Sequence, residues 1–253
     1  MKYLTAIFSF LFLYSLSSFA QEYLPAPANN RAEQIIRRTA YTMSYNKDWT
    51  NCNWVYWRLT REHCYGKIKR NDQKFLPDEA VKGNKAQHED YIQSGYDRGH
   101  MCPAGDNKWS KTAMNETFKL SNICPQRHNL NVGDWNDLEQ ACRYWAKSYG
   151  ELLIVCGPVY YNNKVTKWLK KRKVGVPDAF FKCIVRLGKH PAGLAFLYEN
   201  NGKHHEMNYY VKSIDNIERL TGLNFFSGIP NERQIESYSD LSQWKTPVLD
   251  SRN

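Results

Sequence analysis

The sequence of 253 residues lacks any C-x-x-C pair, although it contains seven cysteines. This absence argues against a zinc ribbon and against a thioredoxin-like redox centre. The sequence also lacks internal repeats, low-complexity linkers and terminal blocks of like charge, which would divide a chain into several units. Its length is compatible with one α/β or β-rich domain.

Acidic residues are scarce relative to basic ones. The chain has 25 Asp and Glu against 35 Lys and Arg, which gives a formal net charge of +10. Such a balance favours a polyanionic partner such as nucleic acid, although it also suits a soluble protein without one.

Long apolar runs are absent beyond residues 1–20. That run follows Lys2 and ends in small residues at Ser18 and Ala20, a pattern typical of a secretory signal peptide. No later segment approaches the roughly 20 apolar residues that a membrane-spanning helix needs. We therefore predict a signal peptide over residues 1–20, one domain over residues 21–253, and a secreted or periplasmic protein without membrane association.

The cysteines are expected to form disulfide bonds if the chain is exported. Their odd number leaves at least one unpaired. Cys156 and Cys183 lie within apolar runs and are interpreted as small buried hydrophobic residues.

The pattern of apolar residues predicts a mixed, strand-rich fold. Core strands are predicted over residues 52–60, 150–161, 178–187 and 192–200 because β-branched and aromatic residues there are bounded by Gly, Pro and Asn. Helices are predicted from Asn131 to Gly150 and from Ser213 to Gly222. Strands mixed with a few helices indicate an α+β sandwich rather than a doubly wound parallel sheet.

The first predicted helix carries polar residues on an otherwise apolar stripe. Helical spacing places Asn131, Trp135, Leu138, Glu139 and Cys142 on one face. One interpretation is that Asn131 caps the helix and Glu139 pairs with a surface lysine. The other is that both polar side chains face a functional site, and the Asn-rich loop before the helix favours it.

Three short motifs occur in order along the chain, with four further stretches around them. The motifs are DRGH (97–100), LSNICPQ (120–126) and LNVGDWNDLE (130–139), and the further stretches are YTMSYN, NWVYWRLT, VPDAFFK and IERLTGLNFF. This ordered series, over about residues 41–226, resembles the DNA/RNA non-specific endonucleases, which include secreted sugar-nonspecific bacterial nucleases and mitochondrial endonuclease G. The resemblance implies a ββα-metal finger within an α/β/α sandwich that has a central antiparallel sheet.

The resemblance also implies the central chemistry. His100 matches the family's general base, which deprotonates the attacking water, and imidazole suits this task because its pKa lies near neutrality. Asn131 matches the ligand of a largely hydrated Mg²⁺, for which Mn²⁺ can substitute. Glu139 would lie about 12 Å further along one continuous helix, so we expect it to bind metal-bound water.

Further positions match the family's contacts with substrate. Arg98 and Arg70 correspond to arginines that contact phosphate, where a planar guanidinium can hold two oxygens. Asn122 matches a position that orients the site or the substrate, and Asp97 is expected to brace the DRGH turn. Two basic segments, residues 58–74 and 164–173, are either a track for a phosphate backbone or ordinary solvated loops.

These features predict a Mg²⁺-dependent endonuclease that cleaves DNA and RNA with little sequence preference and leaves 5′ phosphates. A neutral histidine base predicts a rate that rises through about pH 6 to 7. The alternatives are an exported nucleic-acid-binding protein without catalytic activity and a phosphodiesterase for small phosphate esters. Intact His100 and Asn131 argue against the first, and the basic segments argue against the second.

Overall fold

The computed structural model describes residues 23–70, 73–169 and 173–249, so the predicted signal peptide lies outside the described residues. The strands are β1 (Gln34–Arg37), β2 (Tyr41–Asn46), β3 (Asn51–Thr60), β4 (Asp97–His100), β5 (Ile123–Gln126), β6 (Glu151–Val159), β7 (Trp168–Leu169), β8 (Val174–Gly175), β9 (Ala179–Arg186), β10 (Ala192–Glu199) and β11 (Val211–Lys212). The α-helices are α1 (His88–Tyr91), α2 (Lys111–Thr117), α3 (His128–Val132), α4 (Asp134–Tyr149), α5 (Ile214–Thr221) and α6 (Glu232–Ser237).

The centre of the molecule is a seven-stranded sheet in the order β1-β2-β3-β6-β9-β10-β11. Every neighbouring pair of its strands is antiparallel. The four predicted core strands are present as β3, β6, β9 and β10. The predicted α+β class with a central antiparallel sheet is therefore confirmed.

Helices cover both faces of this sheet, as the alternation within β3 shows. Val55 and Trp57 point into a core that contains Trp135 and other residues of α4. Trp54 and Tyr56 point into a second core, to which α5 and α6 contribute Ile214, Ile217 and Ile235. Because both faces are buried, the strands are rich in apolar residues at nearly every position, and the result is a helix–sheet–helix sandwich.

A small ββα unit stands apart from the central sheet. The β4 and β5 strands pair antiparallel, with Gly99 opposite Cys124 and His100 opposite Ile123, and α3 follows β5 directly. Gly99 is required by packing, since a Cβ atom there would lie 2.7 Å from the Cβ atom of Gln126. The predicted ββα finger is thus present, with the DRGH motif as its first strand.

The helix predicted from Asn131 to Gly150 is interrupted. Gly133 has a ψ of −112°, far from the helical value, so α3 ends at Val132 and α4 begins at Asp134. Asn131 therefore belongs to α3 and Glu139 to α4, which corrects the single continuous stripe expected from the sequence. Arg127 is the N-cap residue of α3, so Asn131 does not cap a helix.

The predicted ends of two helices are confirmed. Gly150 follows α4 with a φ of +98°, a backbone conformation that favours glycine. The Ser213 hydroxyl accepts a hydrogen bond from the Asn216 backbone N–H at 3.2 Å, and Gly222 closes α5 with a φ of +66°.

Among helices in the described ranges, none is both long and apolar enough to cross a membrane.

All seven cysteines are free thiols, which corrects the prediction of disulfide bonds. Six of them are buried, and five of these six pack into the core that contains α4. They occupy the sites of small apolar side chains, and burial raises the pKa of the Cys142 thiol to about 12.

Candidate active site

A cleft of about 820 Å³ lies between the ββα unit, the start of α4 and the loop over residues 66–70. It brings together five of the six site residues predicted from the sequence, which are Arg70, Arg98, His100, Asn131 and Glu139. These positions span 70 residues of the chain, and the ββα unit with its two helices draws them together.

His100 ends β4 and is almost enclosed, with 8 % of its surface exposed. Its ring centroid lies 5.0 Å from that of Phe118 and 5.5 Å from that of Phe75, and Trp135 Nε1 donates a hydrogen bond to its carbonyl oxygen at 3.2 Å. The Nε2 atom is buried and has no hydrogen-bond partner within the described part of the chain. Burial, together with the positive charge of Arg70, lowers the pKa of His100 to about 3. The imidazole is therefore neutral at physiological pH, and it is a weaker base than a free imidazole.

Asn131 is held in one orientation by the DRGH strand. Its Nδ2 donates to Asp97 Oδ2 at 2.9 Å. The same carboxylate oxygen lies 2.9 Å from His128 Nδ1. Because a carboxylate only accepts hydrogen bonds, this contact fixes the amino side of the Asn131 amide and leaves its Oδ1 as the atom available to a cation.

Glu139 lines the cleft from α4 and is half-buried. Burial raises the pKa of its carboxyl group, and the positive charges of Lys182 and Arg143 oppose that rise. Among the described residues no surface lysine forms an ion pair with Glu139, and the lysine whose charge acts on it, Lys182, is fully buried in β9. The Lys182 Nζ lies 4.3 Å from the ring centroid of Trp135.

Lys182 and Arg143 were not predicted as site residues. Arg143 Nη1 donates to Asp106 Oδ1 at 3.0 Å and lines the cleft. The available signal for Lys182 was a single charge within the apolar run AFFKCIV, where a charge in a core strand needs an acidic neighbour.

The two predicted phosphate-binding arginines sit on aromatic rings. Arg98 lies 5.4 Å from the ring centroid of Tyr91, and its Nη2 donates to the His88 carbonyl oxygen at 3.2 Å. Arg70 is exposed, and its guanidinium lies 5.3 Å from the ring centroid of Phe118. Both therefore offer guanidinium N–H groups to the same cleft.

Asn122 is the predicted site residue that does not reach the cleft. It is fully buried, its Oδ1 accepts from the Cys102 backbone N–H at 2.9 Å, and its Nδ2 donates to the carbonyl oxygens of Cys102 and Thr117. These bonds fix the chain just after His100. A fully enclosed side chain cannot touch a polymer in the cleft, so Asn122 is not placed to act on the substrate directly, which corrects that part of its expected role.

The two basic segments differ in their relation to the cleft. Lys67 and Lys69 line it together with Lys108. The described lysines of residues 164–173 do not line it, while residues 170–172 lie outside the described ranges. Lys167 instead lies 5.0 Å from the ring centroid of Tyr96.

Comparisons with known proteins agree with the motif series. A family model described as DNA/RNA non-specific endonuclease matches residues 22–232. The chain is 33% identical over 236 residues to a protein of Xenopus laevis named "Nuclease EXOG, mitochondrial", covering 87% of this chain and 65% of that protein. It is 32% identical over 240 residues to the "Mitochondrial nuclease" of Saccharomyces cerevisiae, covering 86% of this chain and 72% of that protein.

A solved structure has the same fold. Its title is "Crystal structure of the EndoG/EndoGI complex: Mechanism of EndoG inhibition", and the TM-score is 0.73 at 28% identity, covering 79% of this chain and 88% of that chain. The chain spans between three fifths and two thirds of the length of the mitochondrial EXOG nucleases that it matches.

The names of the relatives overturn the predicted location. The EXOG proteins, the Saccharomyces cerevisiae nuclease and human endonuclease G are all named as mitochondrial, which contradicts the prediction of a secreted or periplasmic protein. That prediction depended only on the apolar run over residues 1–20, which says nothing about the folded domain.

Proposed function

Because the chain belongs to the DNA/RNA non-specific endonuclease family, we propose that it is a metal-dependent endonuclease that hydrolyses phosphodiester bonds of DNA and RNA. The proposal assigns this activity to one domain over residues 21–253. It includes Mg²⁺ as the ion, with Mn²⁺ as a substitute, and products that carry 5′ phosphates.

One observation carries the proposal. A neutral, nearly enclosed histidine and an asparagine with a fixed amide share one basic cleft. Phosphodiester hydrolysis needs a base for water and compensation for charge on the phosphoryl oxygens. His100 meets the first need, and the arginines with the Asn131 site meet the second.

His100 acts as the base in this proposal. Its neutral ring accepts the proton of the attacking water, and burial together with the positive charge of Arg70 keeps it from being protonated beforehand. The Trp135 bond to the His100 carbonyl oxygen holds the residue in place during the transfer.

The donor set fits a hard divalent ion. Asn131 Oδ1 would hold Mg²⁺ directly and Glu139 would hold its water, since Mg²⁺ prefers oxygen ligands and retains much of its hydration shell. When bound, the ion would neutralise charge on the phosphoryl group and on the departing 3′ oxygen. Departure of the 3′ oxygen is the reason that 5′ phosphates are expected.

The remaining cleft residues bind the backbone rather than bases. Arg98 and Arg70 would each hold phosphate oxygens through two N–H groups, and Lys67, Lys69 and Lys108 would add positive charge along the wall. Contacts of this kind position nucleic acid without reading its sequence, so we propose little sequence preference. Asn122 serves as a positioning residue for the His100 segment.

The test is cleavage of supercoiled plasmid and of a structured RNA with Mg²⁺ or with EDTA. The matched pair is His100→Ala and His190→Ala, because His190 is an exposed histidine outside the cleft. We expect both substrates to be cut by the wild type and by His190→Ala only with metal, and neither by His100→Ala. Cleavage that continues in EDTA, or binding without cleavage, contradicts the proposal. Hydrolysis of a small model diester without preference for polymers would favour the phosphodiesterase alternative.

A further inference from the structure

Three carboxylates converge on the face of the sheet opposite α4. Asp215 and Glu218 lie on α5, Glu236 lies on α6, and one oxygen from each lies within 4.8 Å of the other two. The two helices contact each other and cover the second core, and none of the three residues lines the proposed active site.

Glu236 is the unusual member of this set. It is 5 % exposed, and its Oε1 atom is buried without a hydrogen-bond partner among the described residues. A buried polar atom without a partner carries the full cost of leaving water, and the cost is larger for a charge. Burial raises the pKa of Glu236 to about 8, with Glu218, Glu232 and Asp215 adding to the rise. Among the described residues, no hydrogen-bond donor contacts this Oε1 atom.

The described residues around the cluster add negative charge, and none of them supplies an ion-paired cation. Glu232, also on α6, accepts a hydrogen bond from the Gly228 backbone N–H through its Oε2 atom at 2.9 Å. Glu218 accepts one from the Phe225 backbone N–H through its Oε1 atom at 2.6 Å. Across residues 23–70, 73–169 and 173–249, no Lys, Arg or His forms an ion pair with any of these carboxylates. Repulsion among three acids on two helices would drive α5 and α6 apart unless a cation or a proton intervened.

We propose that Asp215, Glu218 and Glu236 form a Ca²⁺ site that joins α5 to α6. Ca²⁺ binds carboxylate oxygens at about 2.3–2.6 Å, so two oxygens on opposite sides of it lie at most about 5.2 Å apart. Three oxygens within 4.8 Å of one another fit this range. Asp215 and Glu218 are half-exposed, so water reaches the site and completes the irregular shell that Ca²⁺ accepts.

Calcium suits this site better than magnesium. Mg²⁺ requires near-octahedral ligands at about 2.0–2.1 Å and gives up its water reluctantly, which favours sites with one or two protein ligands. The role of the Ca²⁺ is structural, because the site lies over the second core and outside the active-site cleft. The competing account is that the three acids share protons, with Glu236 as the protonated member.

The experiment measures Ca²⁺ binding by calorimetry and the melting temperature of the metal-stripped protein with and without Ca²⁺. The background is Asn131→Ala, so that the active-site ion makes no contribution, at about pH 8.5, where protons compete less for the carboxylates. Glu236→Gln keeps the shape of the side chain and removes its charge. Asp215→Asn is the second variant at a more exposed position, and Glu79→Gln is the control, an exposed carboxylate outside the cluster.

We expect one bound Ca²⁺ and a rise in melting temperature of about 5–10 °C at a hundredfold excess over Kd. Glu236→Gln and Asp215→Asn should each lose both signals, while Glu79→Gln keeps them. Absence of Ca²⁺ binding in the Asn131→Ala background, or unchanged binding in Glu236→Gln and Asp215→Asn, overturns the proposal. Plasmid cleavage by Glu236→Gln with Mg²⁺ is expected to match the wild type, so failure of this site is distinct from failure of the proposed nuclease activity.

Discussion

The side-chain amide of Asn131 donates to Asp97 Oδ2 at 2.9 Å, so a residue of the DRGH strand sets the direction of the proposed metal ligand. Asp97 and Asn131 lie 34 positions apart, and the pairing of β4 with β5 carries the first of them beside α3. Mutation of a residue that orients a metal ligand typically costs about 10–100-fold in metal affinity or activity.

Asp97→Asn is expected to weaken metal use without removing the ligand. An Asn at this position can present its own amide group to Asn131, so the fixed orientation of the Asn131 oxygen is lost. We expect the Mg²⁺ concentration for half-maximal plasmid cleavage to rise about 10–100-fold. An unchanged Mg²⁺ dependence would mean that Asp97 only braces the strand. Asp48→Asn, at an exposed ion pair far along the chain, is the control.

The acid limit of activity should not come from His100. Burial lowers its pKa to about 3, so the neutral form persists as the pH falls and the base remains available. We therefore expect no His100 titration in an NMR experiment on the imidazole ring between about pH 8 and 5. This differs from the rise through about pH 6 to 7 that an unperturbed histidine predicts. A ring titration near pH 6.5 would show that burial in the cleft does not lower the pKa of His100.

The same pKa shift has a consequence for stability. The folded pKa of His100 is below the unfolded value, so the unfolded chain binds the proton first as the pH falls. Its contribution to stability is therefore complete above about pH 6.5 and is lost as the pH falls toward about 3. His100→Gln should reduce the loss of stability on acidification, as followed by urea unfolding across that range. An equal acid sensitivity of both proteins contradicts this expectation.

Lys182→Met is expected to raise the pKa of Glu139. Lys182 opposes the rise in the pKa of Glu139, so its removal raises that pKa further. The Glu139 carboxylate is then lost at a higher pH, and the acid limb of kcat/KM should move upward by about one pH unit. Lys189→Met, at an exposed lysine beyond β9, is the control. An unshifted profile with a uniformly lower rate would mean that Lys182 only supports packing.

Gly99→Ala should disturb the strand that carries His100. A Cβ atom there would lie 2.7 Å from Gln126 Cβ, and overpacking of this kind costs about 1–3 kcal/mol in the free energy of unfolding. Denaturant unfolding measures the loss, and Gly99→Ala with Gln126→Gly, which removes the Cβ atom of residue 126, should recover part of it. No recovery in the double variant would place the strain elsewhere.

Local sequence patterns predicted the central strands and the two helix ends marked by Gly150 and Gly222, because apolar periodicity and capping act within one segment. They did not predict the helix break, since Gly133 lies in an otherwise helical pattern. The enclosed hydrogen bonds of Asn122 and the burial of Lys182 depend on tertiary packing, which a pattern within one segment does not contain.

The proposed roles of His100 as the base and Asn131 as the metal ligand are tested most directly by a metal titration of plasmid cleavage with two variants. His100→Ala should lower the rate by about 10²–10⁴-fold at every Mg²⁺ concentration, with partial rescue by free imidazole. Asn131→Ala should recover part of its activity at high Mg²⁺ and should not respond to imidazole, since a diffusing base cannot replace a ligand. Near-normal cleavage by His100→Ala at saturating Mg²⁺ would contradict the account and leave His100 as a structural residue.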